Sequence, residues 1–291
     1  MRRSPVSRRD FLAASAAVAG TALLPASARA ASEISFRYGL VTYMWGAEWD
    51  LPTLLKNCKA TGCSGVELRT THAHKVEPTL TAEQREDVAK RFADSGVVCV
   101  GIGSNERFDN PDAKVVAKAV EASKEFIRLS HDIGGSGVKV KPDQFHKDVP
   151  HEKTIEQIGK ALNELGEYAA GFGQEVRLEV HGGCSELPVI KAIMDIATDE
   201  NVVVCWNSNV SDLKGDGLEA NFKLVRKRFG HTLHVRELDA ADYPFPKLIE
   251  LLVKSDYDGW VLCEAASKQD DKVAALKKQK QLFDEYVAAV K

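Results

Sequence analysis

Short β-branched runs alternate with longer amphipathic runs eight times along this chain. The strand-like runs are residues 36–43, 65–69, 97–103, 137–141, 176–181, 202–207, 233–238 and 259–264. Strict alternation of this kind implies parallel strands joined by right-handed helical crossovers. Eight such units in about 260 residues predict a single (β/α)8 barrel, or TIM barrel. A doubly wound open sheet is the alternative, but residues 41–46 lack the glycine-rich phosphate loop expected after its first strand.

Helix ends are marked by capping signals between these strands. Thr81 and Gln84 have capping-box spacing, Asn110 followed by Pro111 predicts an N-cap with proline at the first helical position, and Thr154 opens a long amphipathic run. Glycines at the predicted helix stops are Gly62, Gly96 and Gly134.

The N-terminus predicts export. Residues 7–12 read SRRDFL and precede an alanine-rich apolar run, which ends in a small-x-small cleavage pattern at residues 28–30. The apolar run is too short to span a bilayer comfortably, so we expect no stable membrane insertion of the mature chain. We therefore predict a twin-arginine signal peptide at residues 1–30 and a barrel domain at residues 31–291, exported to the periplasm or another extracytoplasmic compartment.

The net charge limits the class of partner that we expect, and the cysteine positions bear on disulfide formation. Loss of residues 1–30 lowers the formal net charge from -3 to about -7, which argues against nucleic acid as the main partner. No linker or repeat marks a domain boundary, so one domain is favoured. Six cysteines in an exported chain raise the thought of disulfides, but Cys99, Cys205 and Cys263 lie inside apolar strand-like runs, where a thiol behaves as a small hydrophobe.

One face of the predicted strands is uniformly apolar and must meet the helices, whereas the other face carries charges. Residues of the second kind are Glu67, Arg69, Lys139, Lys141, Arg177, Glu179, His181, Asn207, His234, Arg236 and Glu264. Because charges are rarely buried without partners, this convergence in a barrel interior needs a reason. It is either an active site or an internal network of ion pairs.

Four of these residues fall at the carboxyl ends of consecutive strands, where barrels of this kind carry their chemistry. Glu179, Asn207, His234 and Glu264 are separated by 28, 27 and 30 residues, about one β/α unit each. Two carboxylates, an imidazole and an amide oxygen predict a divalent metal site for Mn, Mg, Co or Zn.

The sequence resembles the xylose-isomerase-like barrels, which include sugar epimerases and the endonuclease IV family. The resemblance rests on the order of short motifs at residues 65–69 (GVELR), 178–182 (LEVHG), 234–237 (HVRE) and 262–264 (LCE). It implies that a metal is held by Glu179, Asn207, His234 and Glu264, and that Glu179 and Glu264 are also the catalytic acid and base. The sixth strand departs from the family pattern, since Asn207 stands where an Asp is expected and the following His is replaced by Val210.

Other polar residues near the predicted mouth are candidates for substrate binding. These candidates are Glu67, His72, His74, Lys141, His181 and Arg236. The alternative for Lys141 and Arg236 is pairing with Glu67 or Glu237, and the alternative for His72 and His74 is that they are solvated loop histidines.

Several functions share this residue set. The first is a metal-dependent isomerase or epimerase that moves a proton beside the carbonyl of a small carbohydrate substrate; the second is a lyase or dehydratase that starts with the same abstraction on a keto-sugar or keto-glycoside. A sugar-binding barrel without catalysis is the third. An endonuclease-like phosphodiesterase is disfavoured by the acidic charge and by too few histidines. Export favours neutral sugars, cyclitols or glycosides as substrates over sugar phosphates.

Overall fold

A computed structural model describes residues 36–290 of the chain. Its eight strands and eight main helices alternate as the sequence predicts. The strands are β1 (Arg37–Val41), β2 (Gly65–Arg69), β3 (Val98–Arg107), β4 (Gly137–Lys141), β5 (Glu175–Glu179), β6 (Val202–Cys205), β7 (Thr232–Val235) and β8 (Trp260–Cys263). The helices are α1 (Leu51–Thr61), α2 (Ala82–Ser95), α3 (Ala113–Asp132), α4 (His151–Ala170), α5 (Leu187–Ile196), α6 (Leu218–Val225), α7 (Phe245–Lys254) and α8 (Lys272–Val290).

The strands form one parallel sheet in the order β6-β5-β4-β3-β2-β1-β8-β7. The two ends of this order meet through an isolated parallel bridge between Asn207 and His234, and the His234 amide donates to the Trp206 carbonyl at 2.7 Å. The sheet is thus a nearly closed barrel, and the predicted (β/α)8 fold is confirmed. Within residues 36–290, no helix has the length and apolarity needed to cross a membrane.

Helix boundaries follow the capping chemistry with two corrections. The capping box of Thr81 and Gln84 is present, and Gly62 and Gly96 end their helices with positive φ. The predicted N-cap of α3, Asn110, is wrong. The N-cap is Asp112, whose carboxylate accepts a hydrogen bond from the Lys114 amide at 2.8 Å, and Asn110 forms the preceding turn.

The second correction concerns α4. This helix begins at His151, one turn before the predicted start, and Thr154 is buried in its first turn.

Apolar side chains pack in two places. The larger core lies between the sheet and the helices. A small cluster of Val41, Val100, Trp260 and Leu262 lies apart from it, on the inward-facing side of the strands.

All six cysteines are buried free thiols, and burial raises the pKa of Cys58, Cys63, Cys99 and Cys184 to about 12.

Charged residues fill the remaining interior in two layers. Near the amino ends of the strands, fully buried Arg177 bonds Glu175 Oε2 at 2.8 Å, Ser136 Oγ at 2.7 Å and the Val100 carbonyl at 3.2 Å. A Cβ on Gly137 would lie 2.7 Å from the Arg177 Cζ, so the glycine makes room for the guanidinium. We call this layer the floor. The second layer lies at the carboxyl ends of the strands.

Candidate active site

Three of the predicted metal ligands converge at the carboxyl end of the barrel. Glu179 is the last residue of β5, His234 lies in β7, and Glu264 directly follows β8. One donor atom from each lies within 4.8 Å of the others. His234 Nδ1 is 3.5 Å from Glu179 Oε1 and 3.6 Å from Glu264 Oε2. Alternation along three separate strands therefore brings these side chains to one point, as the spacing predicted.

Asn207, just beyond β6, lies between the two glutamates. Its Nδ2 donates to Glu179 Oε1 at 2.9 Å and to Glu264 Oε2 at 3.1 Å. The amide thus presents its nitrogen, not its oxygen, to the site. Since amide oxygen and nitrogen exchange places by a half-turn about one bond, a cation would be met by Oδ1 only after that rotation. Metal ligation by Asn207 stays a prediction.

The donor set suits a divalent cation. Two donors bound to one ion at about 2.1 Å lie about 3.0 to 3.4 Å apart at tetrahedral or octahedral angles, close to the separations of His234 Nδ1 from the two carboxylates. His234 is fully buried and its Nδ1 has no hydrogen-bond partner among the described residues. A buried nitrogen aimed at two carboxylates without a directed bond is suited to metal ligation.

Lys139 is a member of this layer that the sequence interpretation placed only in an ion-pair network. Its Nζ lies 2.8 Å from Glu179 Oε2, and both side chains are buried. Burial acts to raise the pKa of Glu179, but the Lys139 ammonium and His234 outweigh it and hold that pKa well below its ordinary value. Glu179 is therefore an ion at neutral pH, and the layer contains both an active-site geometry and part of the alternative network.

Glu67 was a substrate-binding candidate, but the structure places it behind His234. It is fully buried, its Oε1 lies 3.2 Å from His234 Nε2, and it is not among the residues that line the cavity. Gly103 on the next strand makes room for it, because a Cβ there would lie 2.8 Å from Glu67 Oε1. A carboxylate in this position orients the imidazole, which leaves Nδ1 toward Glu179 and Glu264.

A cavity of about 310 Å³ opens above these residues. Of the substrate-binding candidates, Lys141, His181 and Arg236 line it, and the side chain of Glu264 reaches it with 16% exposure. His181 Nδ1 lies 3.1 Å from Asp143 Oδ1. Arg236 bonds both Asp242 oxygens at 3.1 and 3.2 Å, so the predicted alternative of pairing with Glu237 is replaced by Asp242.

The two loop histidines bond other parts of the chain. His74 is buried, with Nε2 at 2.9 Å from the Arg69 carbonyl and Nδ1 accepting from the Val76 amide at 3.0 Å, so both ring nitrogens hold the loop after β2. His72 is bonded to Thr42 Oγ1 at 2.9 Å, and burial, with Arg69 nearby, lowers its pKa to about 4. Neither lines the cavity with Glu179.

The cavity wall also includes Tyr43 and Arg69, which the sequence interpretation did not assign to the site. Arg69 faces the barrel interior, as the strand alternation predicts. The predicted third strand ends at residue 103, whereas β3 continues to Arg107, and this extension carries Asn105, which bonds both Arg69 and Lys141.

Sequence comparison assigns the family. The family model described as xylose isomerase-like TIM barrel matches residues 55–286. The chain belongs to this family. The xylose isomerase-like barrel is preceded by residues 5–25, which match the model of the twin-arginine translocation pathway signal sequence and lie outside the described residues. No curated protein sequence matched the chain.

Solved structures share the fold of this xylose isomerase-like barrel. An L-ribulose 3-epimerase is 17% identical, with a TM-score of 0.76 over 88% of this chain and 95% of its own. The zinc-bound IolI protein is 15% identical, with a TM-score of 0.75 over 88% of this chain and 99% of its own. The 3-keto-D-glucoside 4-epimerase YcjR from E. coli is 14% identical, with a TM-score of 0.73 over 86% and 99%.

Proposed function

We propose that the protein is a divalent-metal-dependent isomerase or epimerase that transfers a proton beside the carbonyl of a small sugar. The observation that carries this proposal is the convergence of Glu179, His234 and Glu264 within 4.8 Å at the carboxyl end of the barrel. The structural neighbours named above include two sugar epimerases and a zinc-bound protein, which supports the same reading.

Glu179, His234 and Glu264 would hold the ion, joined by Asn207 once its amide has rotated. When bound, the ion supplies a Lewis acid that polarises a carbonyl and stabilises the negative charge developing on its oxygen. Mn, Mg, Co and Zn all accept such ligands.

The chain's own residues supply the proton transfer. Glu179 and Glu264 both line the cavity, and the Asn207 amide fixes one oxygen of each. Lys139 keeps Glu179 ionised, so this carboxylate can accept a proton but cannot supply one before it has taken one up. Glu264, with 16% of its side chain exposed, faces the substrate space more openly.

The substrate-binding role falls to the polar wall above them. His181 is held by Asp143 and Arg236 by Asp242, so both present fixed polar groups to a bound sugar. We further propose that the mature chain, residues 31–291, acts outside the cytoplasm after twin-arginine export, in the periplasm or an equivalent compartment.

The experiment is exchange of carbon-bound hydrogen with deuterated solvent, followed by mass spectrometry of a panel of keto-sugars and keto-glycosides with added Mn²⁺. Glu179→Gln and Glu264→Gln should each lower the exchange rate roughly 10² to 10⁴ fold, since an amide cannot carry the proton. Glu237→Gln is the matched control, because Glu237 lines the same cavity but accepts a bond from the Ser267 amide at 2.8 Å.

Retention of the wild-type exchange rate by both Gln variants would contradict the assigned acid and base. An eliminating lyase begins with the same bond cleavage, so product analysis separates it: an epimerase returns a sugar of unchanged mass apart from deuterium, whereas a lyase releases water or an alcohol. Absence of exchange with tight sugar binding would indicate the non-catalytic barrel.

A further inference from the structure

Two cations on the cavity wall have no carboxylate partner. Four lysine and arginine side chains line the cavity. Lys139 is paired with Glu179 and Arg236 with Asp242. Arg69 and Lys141 form no ion pair with any carboxylate of residues 36–290. Arg69 and Lys141 therefore lack the direct carboxylate contact that Lys139 and Arg236 have.

A neutral residue holds these two cations together. Asn105 Oδ1 accepts from Lys141 Nζ at 3.2 Å and lies 3.5 Å from Arg69 Nη2. The remaining bonds of Arg69 run from Nη1 to the Thr70 carbonyl and to Thr71 Oγ1, both at 2.8 Å. Strands β2, β3 and β4 thus bring a guanidinium and an ammonium to one amide oxygen.

This arrangement costs free energy without a counter-ion. Both side chains are half-buried, and like charges near one another disfavour the charged form. Burial and the cations Lys139 and Arg69 lower the pKa of Lys141 from its ordinary value, and they outweigh the opposite effect of Glu179 and Asp143. A bound anion would offset both the repulsion and the lost hydration, with charge-assisted hydrogen bonds from each cation.

We propose that Arg69 and Lys141 form a subsite for an anionic group of the substrate, specifically a carboxylate, so that the sugar is an acidic one. The subsite stands on its own geometry, whereas the identification of its ligand as the substrate rests on the proposed function. It replaces the neutral sugar that export alone favours. Arg69 and Lys141 supply the two donors that a planar carboxylate takes. Phosphate sites commonly add backbone amides at a helix N-terminus, which Arg69 and Lys141, each at the end of a strand, do not provide.

Titration calorimetry with three probes tests the subsite. D-Fructose and D-fructuronate differ only in a hydroxymethyl group against a carboxylate, and D-fructose 6-phosphate carries the other common anion. Wild-type protein should bind D-fructuronate roughly 10 to 100 fold more tightly than D-fructose, as hydrogen bonds to a charged group predict. Arg69→Gln and Lys141→Gln should each remove most of that preference, and added salt should reduce it in the wild type.

The control is Lys59→Gln, which removes one positive charge from an exposed position of α1 and should leave the preference unchanged. Circular dichroism establishes that each variant is folded, and the two test variants lie on different strands. Equal affinity for D-fructuronate and D-fructose, or no measurable binding of D-fructuronate, overturns the subsite. A preference for D-fructose 6-phosphate over D-fructuronate overturns its assignment to a carboxylate.

The solvent-exchange assay is read separately. A carboxylate preference that disappears in Arg69→Gln and Lys141→Gln supports the subsite even where no sugar exchanges hydrogen, in which case only the isomerase proposal fails.

Discussion

Replacement of Lys139 by methionine tests whether the buried ion pair with Glu179 is an essential part of the site. Unit charges 2.8 Å apart interact by roughly 6 kcal/mol at an effective dielectric constant of about 20. Removal of the ammonium leaves the Glu179 carboxylate buried without a neutralising cation at Oε2, while Asn207 remains bonded to Oε1. We therefore expect the free energy of unfolding at pH 7 to fall by about 3 to 5 kcal/mol.

Urea denaturation measures this loss, and a double-mutant cycle assigns it. Glu179→Gln in the Lys139→Met background removes the stranded charge, so the double variant should lose much less than the two single losses together, with a coupling energy of about 2 kcal/mol or more. Lys124→Met is the control, because Lys124 Nζ contacts Glu121 at 2.7 Å and Glu164 at 2.8 Å on the surface. That pairing should be worth at most about 1 kcal/mol.

If Lys139→Met destabilised the protein no more than Lys124→Met, Glu179 would not depend on the ammonium. The account of how its charge is maintained would then be wrong.

Two further changes test the site and its surroundings. Asn207→Asp adds a carboxylate between Glu179 and Glu264, so calorimetry should show tighter Mn²⁺ binding, and unchanged affinity would count against position 207 as a ligand. Burial raises the pKa of Asp212 to about 7 from 3.8, despite its bond from Tyr243. The contribution of Asp212 to wild-type stability should therefore fall by about 4 kcal/mol as pH rises from about 4 to 7. Asp212→Asn cannot ionise and should flatten that profile in urea denaturation; equal slopes in both proteins would refute the assigned pKa.

The barrel could be predicted because its signals are local and repeated. Eight β-branched runs with glycine and capping residues between them are consistent with one topology, and the alternating polarity of each strand fixes which side chains point inward. The same periodicity placed Glu179, His234 and Glu264 together, since equal spacing along parallel strands maps onto equal depth in a barrel.

Pairing between inward residues could not be predicted in the same way. Parity shows that Lys139, Lys141 and Arg69 share the interior with the glutamates, but only the stagger of the strands decides that Lys139 reaches Glu179 while Lys141 reaches Asn105. The contacts of His74 could not be predicted either, because a histidine in a loop sequence gives no sign that both of its nitrogens bond the backbone.

The floor formed by Arg177 has a kinetic consequence. Its guanidinium is fully buried and bonded to the Val100 carbonyl, Ser136 and Glu175. The side chain therefore closes the amino end of the barrel. A ligand in the cavity, which Tyr43 and Arg236 help to line, would then enter and leave at the carboxyl end of the barrel. With one opening, a bound molecule must dissociate before another can enter the cavity. If the proposed epimerase activity holds, product leaves by the route along which substrate arrives, and turnover should be sensitive to the mobility of the loops around that opening.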